Sequence, residues 1–237
     1  MESRMDRDEV RLIQEWLCLH GQGVVVDGIL GPATKAALRR FQQGTGLPVT
    51  GQPGQAVMKE LLKPLTTVLT RVRPDGMSLS ELVVVYANLH LAEHPREVGG
   101  ENRGPWVRLY MDGHEGRQWP WCAGFATYIV RQACETLQVP MPVARTFSCD
   151  FLGRQAKEAG RLVSPEDVLK KRKIVGPGYL FLVRQKKNDW GHVGIVTHTH
   201  ELVFSSREGN TNDDGSHEGY EVCARTRAIT GKDFVAI

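Results

Sequence analysis

The run Trp119-Pro120-Trp121-Cys122-Ala123-Gly124-Phe125-Ala126-Thr127-Tyr128 decides the reading of this 237-residue chain. A proline and two tryptophans precede the cysteine, which places Cys122 at the start of a helix running to about Leu137. Further on, Gly191-His192-Val193-Gly194-Ile195-Val196 sets a histidine at the entrance of a glycine-and-valine strand. A free thiol titrates near pH ~8.5 and needs help to ionise at neutral pH. A helix N-terminus and a nearby imidazole are two devices that lower that value. The chain offers both, and it reads first as a cysteine-nucleophile hydrolase.

Working outward, residues from Ser78 onward alternate helical and strand patterns. Ser78-Leu79-Ser80-Glu81 is a helix cap before a helix to about Leu91. An irregular Gly/Pro-rich segment to Gln118 leads into the Cys122 helix, and a further helix is expected around Phe151 to Ala159. Strands follow at Tyr179 to Arg184, His192 to His198, Glu201 to Ser205 and Tyr220 to Thr226. Asn188-Asp189-Trp190-Gly191 and the polar stretch Gly209 to Gly219 separate them. Strands so closely spaced pair as antiparallel hairpins. The fold class is α+β, with a helix bearing the thiol packed on an antiparallel sheet bearing the imidazole, the papain-like way of joining Cys and His.

The front of the chain, Val10 to Leu62, reads as three short helices. Leu12, Ile13, Trp16, Leu17 and His20 recur at helical spacing and stop at Gly21. Asp27-Gly28 is a turn, and Pro32 after Gly31 suits a first helical turn. Ala33, Ala36, Ala37, Leu38 and Phe41 mark the second helix, and Val57, Met58, Leu61 and Leu62 the third. The expected organisation is a three-helix module over 1–63, a linker over 64–77 carrying Pro64 and the Pro74-Asp75-Gly76 turn, and an α+β domain over 78–237.

Two resemblances attach to these residues. Leu12-Ile13-Gln14-Glu15-Trp16-Leu17, Val26-Asp27-Gly28-Ile29-Leu30-Gly31-Pro32-Ala33-Thr34, Ala37-Leu38-Arg39-Arg40-Phe41-Gln42 and Gly46-Leu47-Pro48-Val49-Thr50-Gly51 resemble the peptidoglycan-binding domain type 1 family. That resemblance implies a non-catalytic module docking on cell-wall peptidoglycan. Cys122-Ala123-Gly124-Phe125 with Tyr128, and Gly191 to Val196, resemble the NlpC/P60 and CHAP cysteine hydrolases of peptidoglycan. Glu208-Gly209-Asn210-Thr211-Asn212 resembles the CHAP segment that supplies the third polar residue. Gly99-Gly100-Glu101-Asn102 with Trp106 to Tyr110 resembles the lead-in of related bacterial proteins. One position departs: CHAP domains place Gln, and NlpC/P60 domains Asp, where this chain has Trp121. The oxyanion side chain is thereby open, with Gln118 and Tyr110 as candidates.

The expected mechanism is attack by Cys122 on an amide carbonyl, with His192 taking and returning the proton. Glu208 is expected to orient His192, with Asn210 as alternative or helper, and the Cys122 N–H to bind the oxyanion. Either the N-acetylmuramoyl–L-alanine amide or an amide of the stem peptide is open as the scissile bond. A binding protein without catalysis, and a cysteine hydrolase or transferase of another substrate, are the competing classes. The Cys122, His192 and Glu208 set argues against the first and the front module against the second.

Composition agrees with a globular protein, at 41% hydrophobic and 24% charged residues. The net charge of +3 is mild. The basic clusters Lys170-Lys171-Arg172-Lys173 and Lys186-Lys187 read as solvated faces, so no nucleic-acid partner is expected. No run reaches bilayer-spanning length, so no membrane insertion is expected. No secretory signal opens the chain. Synthesis in the cytoplasm and later delivery to the wall are expected, as for a phage endolysin or a secretion-system effector, and a monomer is expected. Five cysteines without metal-ligand spacing argue against a disulfide framework. Cys18, Cys134 and Cys223 read as small buried hydrophobes, and only Cys122 has the setting of a nucleophile. His90, His94, His114, His198, His200 and His217 lack such a setting, so no metal and no cofactor are expected.

Overall fold

The computed structural model describes residues 5–212 and 219–237. Residues 213–218 of the expected polar stretch, His217 among them, lie outside the described residues.

The N-terminal unit comprises α1 (Arg7–Leu19), α2 (Pro32–Gly44) and α3 (Gln55–Leu61), as the apolar spacing predicts. Asp6 and Glu9 form a reciprocal capping box at the start of α1, satisfying donors that the first turn leaves free. Pro32 opens α2. Ile13, Trp16, Leu17, Leu38, Phe41 and Leu61 pack as its apolar centre. Two buried glutamines fix the two turns between helices. Gln14 Oε1 accepts from the Asp27 and Gly28 N–H groups at 3.0 and 2.8 Å, while its amide donates to Asp27 Oδ1 and Thr34 Oγ1. Gln42 repeats the device, accepting from Gly51 N–H at 2.8 Å and donating to Thr50 Oγ1 and the Gln52 carbonyl.

The expected linker, 64–77, differs in the structure. Its first part lies in α4 (Lys63–Leu69), which places Val68 wholly out of solvent. Proline at the second position of that helix is compatible with its first turn, where no backbone N–H is needed. One continuous apolar cluster runs from α1 to α3 through Val68 into the second half of the chain. Trp16 meets Trp106 edge-on at 5.6 Å, and Arg108 reaches Glu15 at 2.5 Å. The two halves therefore share a core.

The second half contributes α5 (Leu79–Ala92), opened by the Ser78–Glu81 capping box, and α6 (Pro105–Tyr110), within the segment expected to be irregular. Then come α7 (Cys122–Leu137), α8 (Cys149–Glu158), β1 (Leu162–Val163), α9 (Pro165–Leu169), β2 (Leu180–Lys186), β3 (Asp189–Thr199), β4 (Val203–Thr211), β5 (Glu221–Ala228) and β6 (Lys232–Val235). The six strands pair antiparallel in the order β1-β6-β2-β3-β4-β5. β3 begins at Asp189, so the turn after β2 is shorter than the sequence suggests. The short β6, not foreseen, inserts between β1 and β2 and buries Phe234. Helix α7 lies against β3 and β4, and α5 packs beside it, also touching β3, β4 and β5. The fold is α+β, and the start of α7 meets the middle of the sheet.

Candidate active site

Trp121 holds the start of α7 in place. Its ring is fully buried, stacks on Tyr110 at 5.6 Å, and donates from Nε1 to Glu97 Oε1 at 2.9 Å. Glu97 in turn accepts from the Asn102 N–H, and the Asn102 amide donates to the Arg117 carbonyl. Of the lead-in residues, Asn102 and Tyr110 thus take part in bracing the tryptophan, with Glu97 just ahead of them in the chain. Burial pushes the Glu97 carboxyl up, against the opposing pull of these two bonds. Cys122 is the first residue of α7, and the earliest helical bond runs from Phe125 N–H to the Trp121 carbonyl. The N–H groups of Cys122 to Gly124 thus have no acceptor within their own helix, as at any helix start.

Across from it, His192 on β3 and Glu208 on β4 are both fully buried. His192 Nε2 lies 2.9 Å from Glu208 Oε2. Two glycines make this possible. A Cβ at Gly194 would stand 2.7 Å from Glu208 Cγ, and one at Gly209 would stand 2.7 Å from Phe125 Cβ and 2.8 Å from the Trp121 ring. Gly194 thus gives the carboxylate its room, and Gly209 lets β4 touch the first turn of α7.

Glu208 is charge-compensated a second time. Arg227 on β5 grips it with Nε at 2.6 Å from Oε1 and Nη2 at 2.5 Å from Oε2, and the Ser206 hydroxyl donates to Oε1 at 2.5 Å. Burial pushes this carboxyl up, but the bonds from Arg227 and His192 prevail and bring it to about 2. His192 is pulled down by burial and raised by its bonds to Cys122 and Glu208, with a net rise to about 9.

The Cys122 sulfur has a neighbour the sequence did not reveal. Cys149, first residue of α8, places its sulfur 3.7 Å away. The bond from Cys149 leads the causes that hold the Cys122 thiol well below its ordinary range, followed, against the upward push of burial, by His192 and the Val193 N–H. Cys149 is pushed up, first by its bond to Cys122 and then by burial. Helix α8 is fixed there because Asp150 Oδ1 accepts from the Trp190 N–H at 2.8 Å.

The other expected site residues fall as follows. Asn210 is buried on β4, but its positive φ of 57° and the register shift after Glu208 break the alternation that would align it with Glu208. Among the described residues its Oδ1 has no hydrogen-bond partner, so it accepts none from His192. The Tyr110 hydroxyl, proposed for the oxyanion, lies 2.7 Å from His90 Nδ1 in the buried core. Gln118 sits on the exposed turn that precedes Trp119. Of the remaining histidines, His90 is buried between Tyr110 and Gln132, His114 stacks on Trp119 at 4.3 Å, and His198 lies 4.6 Å from His200. Among the described residues no group of three metal-binding side chains gathers.

A family model described as "Putative peptidoglycan binding domain" matches residues 6–61. This match supports a peptidoglycan-binding module. Those limits coincide with α1 to α3 and end before α4, while the apolar core continues beyond them. Neither a curated protein nor a solved structure matches the chain. No helix among the described residues is long and apolar enough to cross a membrane.

Proposed function

We propose that the chain is a cysteine hydrolase of cell-wall peptidoglycan, cleaving an amide of the stem peptide or the amide joining N-acetylmuramic acid to L-alanine. The observation that carries this reading is a buried imidazole that bonds a carboxylate through one nitrogen and reaches a helix-start thiol as well. With Nε2 bonded to Glu208, this reading assigns the proton exchange with the sulfur to Nδ1. The division of labour is that of a papain-like site, with Glu208 in the orienting place.

Cys122 Sγ, as thiolate, adds to the carbonyl carbon of the amide. The developing oxyanion is met by the Cys122 N–H and the positive end of α7. His192, as imidazolium, passes its Nδ1 proton to the leaving amine, and an acyl-thioester remains on Cys122. His192 then removes a proton from water, which attacks the thioester and frees the acid and the thiolate. Glu208 stabilises the imidazolium and keeps the ring from turning, while Arg227 and Ser206 keep Glu208 ionised and still. No side chain is needed at the position of Trp121 to donate to the oxyanion.

The peptidoglycan-binding module supplies the substrate class. Docked on the polymer, it raises the local concentration of scissile bonds without taking part in cleavage. Mass spectrometry of fragments released from purified sacculi tests this reading: new amine and carboxyl ends at one amide are expected. Fragments cut only at glycosidic bonds, or none, refute it.

A further inference from the structure

We propose that Cys122 and Cys149 form a reversible disulfide that switches the thiol site off. The two sulfurs are 3.7 Å apart, each on the first residue of its helix, α7 and α8. A disulfide needs about 2.05 Å between sulfurs. The sulfurs must therefore come about 1.6 Å closer for the bond to form.

The pair is held rather than accidental. Trp121 is anchored to Glu97, and α8 is tied to β3 by the Asp150 bond to the Trp190 N–H. The neighbouring Thr127 hydroxyl donates to the Thr146 carbonyl, fixing the approach to α8 against α7. Cys18 and Cys134 are placed differently: Cys18 Sγ donates to the Val24 carbonyl and Cys134 Sγ to the Pro140 carbonyl.

The oxidant we name is hydrogen peroxide. The Cys122 thiolate attacks one peroxide oxygen, giving the sulfenic acid Cys122–SOH and, with one proton, water. The Cys149 sulfur then attacks the sulfenic sulfur, the S–S bond forms, and the hydroxyl leaves as water with the Cys149 proton. In sum two thiols and one peroxide give one disulfide and two waters. Cys149 is the resolving residue in this sequence. It also guards Cys122, because a sulfenic acid without a partner oxidises further to the irreversible sulfinic acid. A dithiol reductant reverses the disulfide by exchange.

That the disulfide silences catalysis rests on the hydrolase reading; that it forms does not. The full chain is treated with hydrogen peroxide, its remaining thiols are alkylated, and it is digested without reductant. A Cys122–Cys149 linked peptide is expected in the mass spectrum. Sacculus lysis should fall at least tenfold in step with it and return with dithiothreitol. In Cys149→Ser, measured against its own untreated rate, peroxide should leave a loss that dithiothreitol does not restore, with Cys122 as sulfinic acid. Absence of the linked peptide overturns the proposal, as does full recovery of peroxide-treated Cys149→Ser. If the reduced chain lyses nothing while the linked peptide still forms, the hydrolase reading fails and the disulfide stands.

Discussion

His192 Nε2 and Glu208 Oε2 meet at 2.9 Å with neither side chain exposed to solvent. A carboxylate this buried is costly unless paired, and here it is paired twice, since Arg227 holds both its oxygens. Interaction with Cys122 and Glu208 raises His192, which ties the carboxylate on β4 to the thiol at the start of α7.

Glu208→Gln keeps an acceptor for His192 and removes the charge that favours the imidazolium. Turnover on sacculi should fall by about tenfold to a thousandfold. Asn210→Ala should cost less, because Asn210 Oδ1 has no hydrogen-bond partner among the described residues. An inactive Asn210→Ala beside a nearly wild-type Glu208→Gln would give Asn210 the orienting role.

Ionisation of Cys122 has a pH signature. The thiol is held well below its ordinary range and His192 is raised to about 9, so thiolate and imidazolium coexist through neutral pH. Iodoacetamide alkylation of Cys122, followed by mass spectrometry, should change by less than about threefold between pH 8 and 6. An ordinary thiol titrating near pH ~8.5 slows about tenfold per unit over that range. A Cys122 rate that falls by about eightyfold would show an unactivated thiol.

His90 makes stability depend on acid. It sits between the Tyr110 hydroxyl and Gln132 Oε1, and burial lowers it from 6.5 to about 4 against the opposing bond to Gln132. In the unfolded chain it takes up a proton near 6.5, so its contribution is complete above that pH. It is lost as pH falls from 6.5 toward 4. Between pH 7.5 and 5 the loss should be about 2 kcal/mol. Urea midpoints of wild type and His90→Gln test this: the variant should be weaker at pH 7.5 yet less sensitive to acid. Equal acid sensitivity would remove His90 as the cause.

The shared core changes what the front module does. Arg108 bonds Glu15 of that module and Glu115 of its own half, and Glu15 is 4% exposed. Arg108→Ala leaves the Glu15 carboxylate buried without its cation and should cost on the order of 2 kcal/mol. Deleting residues 1–62 should lower both stability and turnover on soluble muropeptides, with a further loss on sacculi from lost docking. Thermal melting and both assays check this. An unchanged melting temperature with a loss on sacculi alone would mean that the halves are independent.

The thiol, the imidazole and the carboxylate were legible in the sequence because each lies in a short run of local signals. Pro120 and Trp121 precede a helix, Gly191 and Gly194 flank a strand histidine, and Gly209 follows Glu208. Partners brought by long-range pairing were not legible. Arg227 meets Glu208 only because β5 pairs with β4, and Cys149 meets Cys122 only because α8 docks on β3. Helix α4 was hidden by Pro64, a breaker inside a helix but acceptable in its first turn. β6 was too short for its period to register, and the bulge at Asn210 defeated the alternation from Glu208.

The most direct measurement compares wild type with Cys122→Ser on purified sacculi, reading turbidity and pelleted protein together. Serine keeps the shape of the side chain and loses the easily ionised thiol. Wild type should clear the suspension, and Cys122→Ser should pellet with the sacculi as wild type does while leaving the turbidity unchanged. Clearing by Cys122→Ser at close to the wild-type rate would contradict the account.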